Sequence, residues 1–287
     1  MKIDLAIRAD LHSHSTVSDG VLTPQALARR AAHRGVQLWS LTDHDEVSGQ
    51  QLARQTAHEL GMRYVTGVEI SVTWAGQTVH IVGLGIDENN SALLEGLSQT
   101  RRGRALRARQ MGEKLEALGM AGAFEGALPF AGNPELISRT HFARYLVQAG
   151  FCPDMQTVFN RYLSDEGPAY VPMQWASLSS AVGWIHAAGG VAVIAHPGRY
   201  HYTQTQFDAL LEEFKSKGGE GIEVVTGSHT PAQYREYAQV AREHGLLASC
   251  GSDFHSPDES RHDLGSLPAL PDDLEPVWSR LMMRSQP

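Results

Sequence analysis

The chain has 287 residues, 42% of them hydrophobic and 20% charged, with a formal charge of −8 when histidine is neutral. That length admits one large or two small domains with a full core, and the acidic balance argues against broad, nonspecific binding of nucleic acid through a basic surface. No apolar run approaches the ~20 residues that span a bilayer, and MKIDLAIRAD lacks the long apolar core of a signal peptide, so the expected location is the cytoplasm.

The first apolar run, IDLAIRADL, is followed by DLHSHSTVSDG and then by TPQALARRAAHRG, where Thr23 and Pro24 resemble an N-cap and first-turn proline and Gly35 a helix stop. A second run, VQLWSLTD, leads into the helical QQLARQTAHELG, which ends at Gly61. RYVTGVEIS and TVHIVGLGI come next. Between Asp87 and Gly190 lie about a hundred residues, far more than the few of an ordinary βα loop. They read as helical through ALLEGLSQTRRGRALRARQMGEKLEALG, SRTHFARYLVQAG and DMQTVFNRYL, which predicts a helical insert or cap at 90–175 within a single domain spanning 1–287. GGVAVIAHP, GIEVVTGS and LLASCGSD complete the set of apolar runs, and LPALPDDLEP predicts a surface wrap before a last short helix. Such runs, with helices between most of them, predict a mostly parallel α/β sheet, open or closed into a barrel. Cys152 and Cys250 offer neither a disulfide framework nor a metal pair and are expected to be reduced and structural.

Fourteen histidines are the compositional oddity, and their placement is informative. His12, His14 and Asp19 follow the first run; Asp43, His44 and Asp45 end the second; Glu69 ends the third; His196 the fifth; Asp253 and His255 the seventh. Strand C-termini are where parallel α/β sheets and barrels build their sites. His80 lies inside the fourth run, which a reversed strand or an inward-pointing ligand would accommodate. Side chains two apart on an extended segment share a face, so His12 and His14 can reach one metal ion. Taken singly, each histidine reads as an ordinary core or surface residue. Together the imidazoles and carboxylates read as a site for zinc, manganese or iron, and the lack of thiolates favours a hydrolytic centre over a structural zinc.

DLHSHSTVSDG, LTDHDEVSG, GVEIS, HIVGLGID, IAHPGR and GSDFHSP together resemble the PHP (polymerase and histidinol phosphatase) family, from the first strand to His255. The resemblance implies a distorted (β/α)7 barrel with three divalent metal ions: His12, His14, Glu69 and Asp253 around one, Glu69, His80 and His196 around a second, Asp19, His44 and His255 around a third. Mn2+ is the expected ion, with Fe2+ or Zn2+ as alternatives. Three divalent cations outweigh three ligand carboxylates, so the pocket would attract a phosphate, with a metal-activated hydroxide as nucleophile.

Several residues outside the ligand set are candidates for substrate. Arg139 and His141 stand at a helix start, where N–H groups favour anions. Arg199 follows His196 closely and forks onto phosphate oxygens. His229 ends the sixth run and is a candidate for phosphate binding or for protonating the leaving oxygen. RRGRALRAR carries five arginines in nine residues, read either as a solvated helix face or as a grip for a second phosphate or an RNA backbone. Tyr200, His201, Tyr202 and Phe254 are candidates for stacking on a base.

Within the family, Asp19, the insert with ISRTHFARYL, AHPGRY and EVVTGSHTPAQ resemble the nucleoside 3′,5′-bisphosphate phosphatases, which take pAp to the 5′-monophosphate. The alternatives are a 5′→3′ exoribonuclease on short 5′-phosphorylated RNA and a histidinol-phosphate phosphatase. A non-catalytic protein with structural metals is disfavoured, since one closed site would serve that end. The expected partner is a small nucleotide with two phosphates, or short RNA, with neither membrane nor obligate protein partner.

Overall fold

The computed structural model describes residues 7–284. Every apolar run contributes a strand: β1 (Ala9–Asp10), β2 (Leu38–Leu41), β3 (Arg63–Trp74), β4 (Gln77–Leu84), β5 (Val191–Ile194), β6 (Gly221–Thr226) and β7 (Leu247–Gly251). Residues 3–6 of the first run lie outside the described residues. The strands form one sheet in the order β1-β2-β3-β4-β5-β6-β7. Leu11 N donates to Cys250 O at 2.9 Å, Asp253 N to His12 O at 2.8 Å and His14 N to Phe254 O at 2.8 Å, so the first and last strands nearly close a barrel.

The sheet departs from the parallel expectation at one strand. β4 runs antiparallel to both β3 and β5. Ala75 and Gly76 have φ of 46° and 78°, and two left-handed residues between paired strands make the tight turn whose twist matches a hairpin. RYVTGVEIS and TVHIVGLGI are therefore the two arms of a hairpin, and His80 comes to the site from a reversed strand.

Four helices pack outside the barrel between its strands: α1 (Pro24–His33), α2 (Gln50–Glu59), α8 (Gln204–Ser216) and α9 (Pro231–His244). Their ends follow the expected chemistry. Thr23 Oγ1 accepts from Ala26 N at 3.2 Å, and Gly35 and Gly61 have φ of 79° and 71° just past α1 and α2. The barrel shares an apolar core built on Val68, Ile70, Ile81, Val193, Ile222 and Ala248 with α8 and α9, whereas α1 and α2 bury Leu27, Ala31, Ala53 and Ala57 in a second cluster with Trp39 and Leu41.

The residues between β4 and β5 form α3 (Ser91–Ala117), α4 (Ala123–Ala127), α5 (Arg139–Gln148), α6 (Met155–Val158) and α7 (Leu178–Ala187), with a π turn at Phe159–Leu163. α3 to α6 have their own core, including Met111, Leu115, Phe142, Leu146, Val158 and Val171, whereas α7 buries Leu178, Val182 and Ile185 in the barrel core. A bidentate ion pair ties the insert to the loop after β7: Arg144 Nε and Nη2 donate to Glu259 Oε1 and Oε2 at 2.9 and 2.7 Å. The described residues end in α10 (Val277–Arg284). Among the described residues no helix is long and apolar enough to cross a membrane.

Candidate metal centre

All nine proposed ligands converge at one end of the barrel. His12 and His14 leave β1 with both rings turned inward, their Nε2 atoms 3.1 Å apart. Glu69, from β3, stands at the middle: its Oε2 lies 3.4 Å from His12 Nε2 and 3.3 Å from His14 Nε2, and its Oε1 lies 2.8 Å from His80 Nδ1 and 2.9 Å from His196 Nε2. Asp253 Oδ1 closes on His14 Nε2 at 3.2 Å, and His255 Nε2 faces Asp19 Oδ1 at 3.3 Å.

Within this cluster, four overlapping sets bring their donor atoms close enough to share a cation: His14, Asp19, His44 and His255; His12, His14 and Asp253; His12, Glu69 and His196; and His44, Glu69 and His80. His14 Nδ1, Asp19 Oδ1, His44 Nδ1, Glu69 Oε2 and His196 Nδ1 are buried without a hydrogen-bond partner. Unpaired buried polar atoms are costly and rare, and five in one cluster of imidazole and carboxylate donors is the pattern a set of cations would satisfy. The residues present therefore fit the metals that the sequence implies.

The backbone around these ligands is strained. Asp45, His196 and Asp253 have φ of 51°, 27° and 53°, a region that costs non-glycine residues of order 1–3 kcal/mol and gathers at functional sites. Asp43 supports the turn after β1, accepting from Ser15 N, Ser15 Oγ and Ser18 Oγ at 2.8, 2.7 and 2.5 Å. Gly251 is needed for close approach. A Cβ there would sit 2.3 Å from His12 Cβ and 2.5 Å from His12 N. Gly251→Ala is expected to destabilise the fold by ~1–3 kcal/mol through overpacking, read as a lowered denaturation midpoint, and to displace His12.

Charge within the cluster is tightly coupled. Burial disfavours a proton on His12 and His14, yet neighbouring carboxylates outweigh it: Glu223, Glu69 and Asp253 hold His12 well above the ordinary imidazole range, and Asp253 and Glu69 push His14 up to about 10. Burial would likewise raise Glu69 and Asp253, but the surrounding histidines hold both well below the carboxylate range. A metal takes the deprotonated imidazole, so loading must expel those protons. Near neutral pH, cation uptake is expected to release protons into a weakly buffered indicator solution. Affinity should climb about tenfold per pH unit for each proton displaced; affinity independent of pH would contradict the coupling.

Above the ligands lies a cavity of about 130 Å³ whose wall is cationic, lined by Arg104, Arg107, Arg139 and Arg199 with Trp175 and Phe159. It opens past Thr78 and Arg139 into an outer lobe of about 510 Å³ lined by Ser164, Asp165, Tyr200 and His201. The arginine-rich stretch of α3 is split between the two expected environments. Arg102 is exposed, its side chain at 66%, whereas Arg104 and Arg107 are buried and face the cavity. Arg104 pairs with Asp45 and donates to Ser71 Oγ at 2.7 Å, its guanidinium 4.6 Å from the Trp175 ring centroid. Arg107 spends Nε on Val171 O at 2.8 Å; burial, with Arg139 and Arg104 nearby, pushes it down to about 10.

The other substrate candidates divide. Arg139 lines both lobes, held by Leu163 O and Asp165 at 3.1 and 2.8 Å. Arg199 also lines both lobes, half-exposed, with Nη1 on Asp253 Oδ2 at 2.9 Å. His141 and His229 are corrections. His141 is fully buried and lines neither lobe: its Nδ1 accepts from Ser138 N at 2.9 Å, capping α5, and burial pushes its pKa down to about 4. Beside it, the Ser138 and Thr140 hydroxyls reach Asp19 Oδ2 at 3.3 and 3.4 Å. His229 Nε2 accepts from Gly198 N at 3.0 Å while its Nδ1 faces Val224 O at 3.1 Å. Both ring nitrogens are occupied within the fold, the ring stacks on Tyr237, and burial pushes its pKa down to about 4. His229 thus braces the His196–Arg199 turn and is not placed to deliver a proton to a substrate. Phe254 is buried against α1 and α2, away from any base.

Within RRGRALRAR, singling out Arg104 and Arg107 required the phase of α3; the residues missed in the sequence are Trp175, in the segment before α7, and Glu223, which reads as one more polar residue in an apolar strand.

The PHP domain family matches residues 10–227. A 3′,5′-nucleoside bisphosphate phosphatase of Chromobacterium violaceum is 52% identical over 275 residues, covering 96% of each chain. A 5′-3′ exoribonuclease of Haemophilus influenzae is 41% identical, over 94% of this chain and 98% of its own. Among solved structures, an amidohydrolase from Chromobacterium violaceum with bound sulfate and no metal superposes with a TM-score of 0.93 at 52% identity, over 96% of each chain. With the family match spanning most of the barrel, and nine histidines and carboxylates converging at its mouth, the chain belongs to the PHP domain family.

Proposed function

We propose that this protein is a metal-dependent phosphoesterase that removes the 3′-phosphate from nucleoside 3′,5′-bisphosphates such as pAp, leaving the 5′-monophosphate. The observation that carries the reading is a cavity lined by seven of the nine metal-type ligands, with His12 and His14 buried against them, and with four arginines around its wall. Three divalent cations, manganese foremost, would be held by His12, His14, Glu69 and Asp253, by Glu69, His80 and His196, and by Asp19, His44 and His255. When bound they would supply Lewis acidity toward the phosphoryl group and a hydroxide nucleophile at neutral pH.

The chain's own residues do the positioning. Among the described residues Arg107 has no carboxylate partner, so its charge remains for a substrate anion. Arg107 and Arg139, both contributed by the insert, hold the 5′-phosphate. Arg199, fixed by Asp253, reaches the 3′-phosphate at the cations. Trp175 and Phe159 exclude water beside the nucleoside. The relative at 52% identity is named for this activity. The substrate is a small nucleotide, and the proposed place of action is the cytoplasm.

The outer lobe favours a second activity on the same centre, exonucleolytic trimming of short 5′-phosphorylated RNA, whose chain would leave through that opening. Relatives at about 40% identity carry that name. The test is phosphate release by the manganese-loaded protein from pAp, 5′-AMP, 3′-AMP and histidinol phosphate, alongside nucleotide release from an RNA oligomer. Preference for pAp with 5′-AMP as a stable product is expected. Turnover of histidinol phosphate alone would overturn the nucleotide reading.

A further inference from the structure

We infer that Glu223 is a positioning residue for the metal centre, an acceptor that sets the ring orientation of His12 and the backbone of His196 at once. The inference rests on the metal reading proposed above. Glu223 lies in β6, which supplies none of the nine proposed ligands, and is 1% exposed. Its Oε1 stands 2.8 Å from His12 Nδ1, and its Oε2 accepts from His196 N at 2.6 Å. One carboxylate thus reaches two ligand residues carried by two other strands, β1 and β5. The β6–β7 ladder shifts register between Glu223 and Val225, the kind of irregularity that re-aims a side chain next to a site.

Both contacts need an acceptor. A carboxylate only accepts, so the proton of His12 is kept on Nδ1 and the lone pair of Nε2 is turned to Glu69, His14 and Asp253, all within 3.5 Å. Such orientation of a ligating imidazole by an outer carboxylate typically changes metal affinity by 10–100-fold. The second contact acts on geometry: His196 holds φ at 27°, and the hydrogen bond from its N–H fixes that unfavourable backbone while its Nε2 points to Glu69. His229, accepting from Gly198 N, braces the same turn from the other side.

An amide cannot replace this acid. Glu223→Gln keeps the shape but offers one acceptor and one donor where two acceptors are required. Either its NH2 meets the His196 N–H, or it meets His12 Nδ1 and drives that proton to Nε2, where a metal must bind. The experiment is isothermal titration of wild-type and E223Q protein with Zn2+ and Mn2+, alongside nitrogen-15 spectra of histidine in the zinc-loaded wild-type protein. The spectra do not depend on the variant folding. E223Q is expected to bind 10–100-fold more weakly, with its activity recovering as metal concentration is raised, and the spectra to show His12 protonated at Nδ1 and coordinated through Nε2. Equal affinities, or coordination through Nδ1, would overturn the inference alone; failure of the wild-type protein to bind either cation would overturn the metal reading with it.

Discussion

Glu69→Gln is expected to lower phosphoesterase kcat/KM by at least about a thousandfold, ~4 kcal/mol of transition-state stabilisation, while leaving the protein folded. Among the described residues Glu69 is the one carboxylate within 3.4 Å of His12, His14, His44, His80 and His196. It is fully buried, and those histidines hold it as the anion. Gln preserves the volume, so packing around β3 and β4 is kept, but the negative charge that Glu69 would offer to two of the proposed ligand sets is gone. Wild-type protein should gain melting temperature when metal is added, by mass action on the folded state, and the variant should lose most of that gain. A variant with near wild-type turnover and metal-induced stabilisation would remove Glu69 from the centre.

Arg107→Ala is the second large effect. It is expected to cut kcat/KM for pAp by about ten- to a hundredfold, the ~1.5–3 kcal/mol of a hydrogen bond to a charged group, while 3′-AMP, which lacks the 5′-phosphate, loses far less. Arg107 is buried, makes its recorded hydrogen bond through Nε alone, and faces the cavity. Arg104 would be a poorer probe, because it pairs with Asp45 and its removal would leave that buried acid alone. Equal losses on both substrates would mean that Arg107 shapes the cavity without holding a 5′-phosphate.

The strands and most helix ends were legible because their signals are local: apolar runs bounded by turns, Thr23 as a cap, and Gly35 and Gly61 as stops. The reversal of β4 was open in the sequence as one of two ways to bring His80 to the site, and the Ala75-Gly76 turn did not decide it because it lacks the usual Asn or Asp. The convergence of the nine histidines and acids was legible for a different reason. Strand ends of an α/β barrel meet, so polar residues just after apolar runs meet as well; Glu69 and His80 differ, lying within β3, which continues to Trp74, and within the reversed β4. His141 and His229 show the limit of that logic. Each stands where a functional histidine would, but His141 spends Nδ1 on the cap of α5 and His229 has both ring nitrogens occupied in bracing a turn, and those partners are visible only in three dimensions. Arg104, Arg107 and Glu223 were obscure because facing depends on the helix phase of α3 and on a register shift in β6.

The reversal of β4 delivers the chain to the far end of the barrel from the metals, so α3 has to climb the whole wall before its arginines matter. Ser91 sits at the foot, and Arg104 is thirteen residues, about 20 Å, further up at 1.5 Å per residue. The helix is therefore a ruler. Its length sets the height of Arg104 and Arg107 above the ligands, and its phase sets their direction. One residue removed below them would lower the pair by about 1.5 Å and swing it through about 100°, with all nine ligands untouched. How far apart two phosphates can be is thus written into a length of helix, separately from the chemistry performed on either.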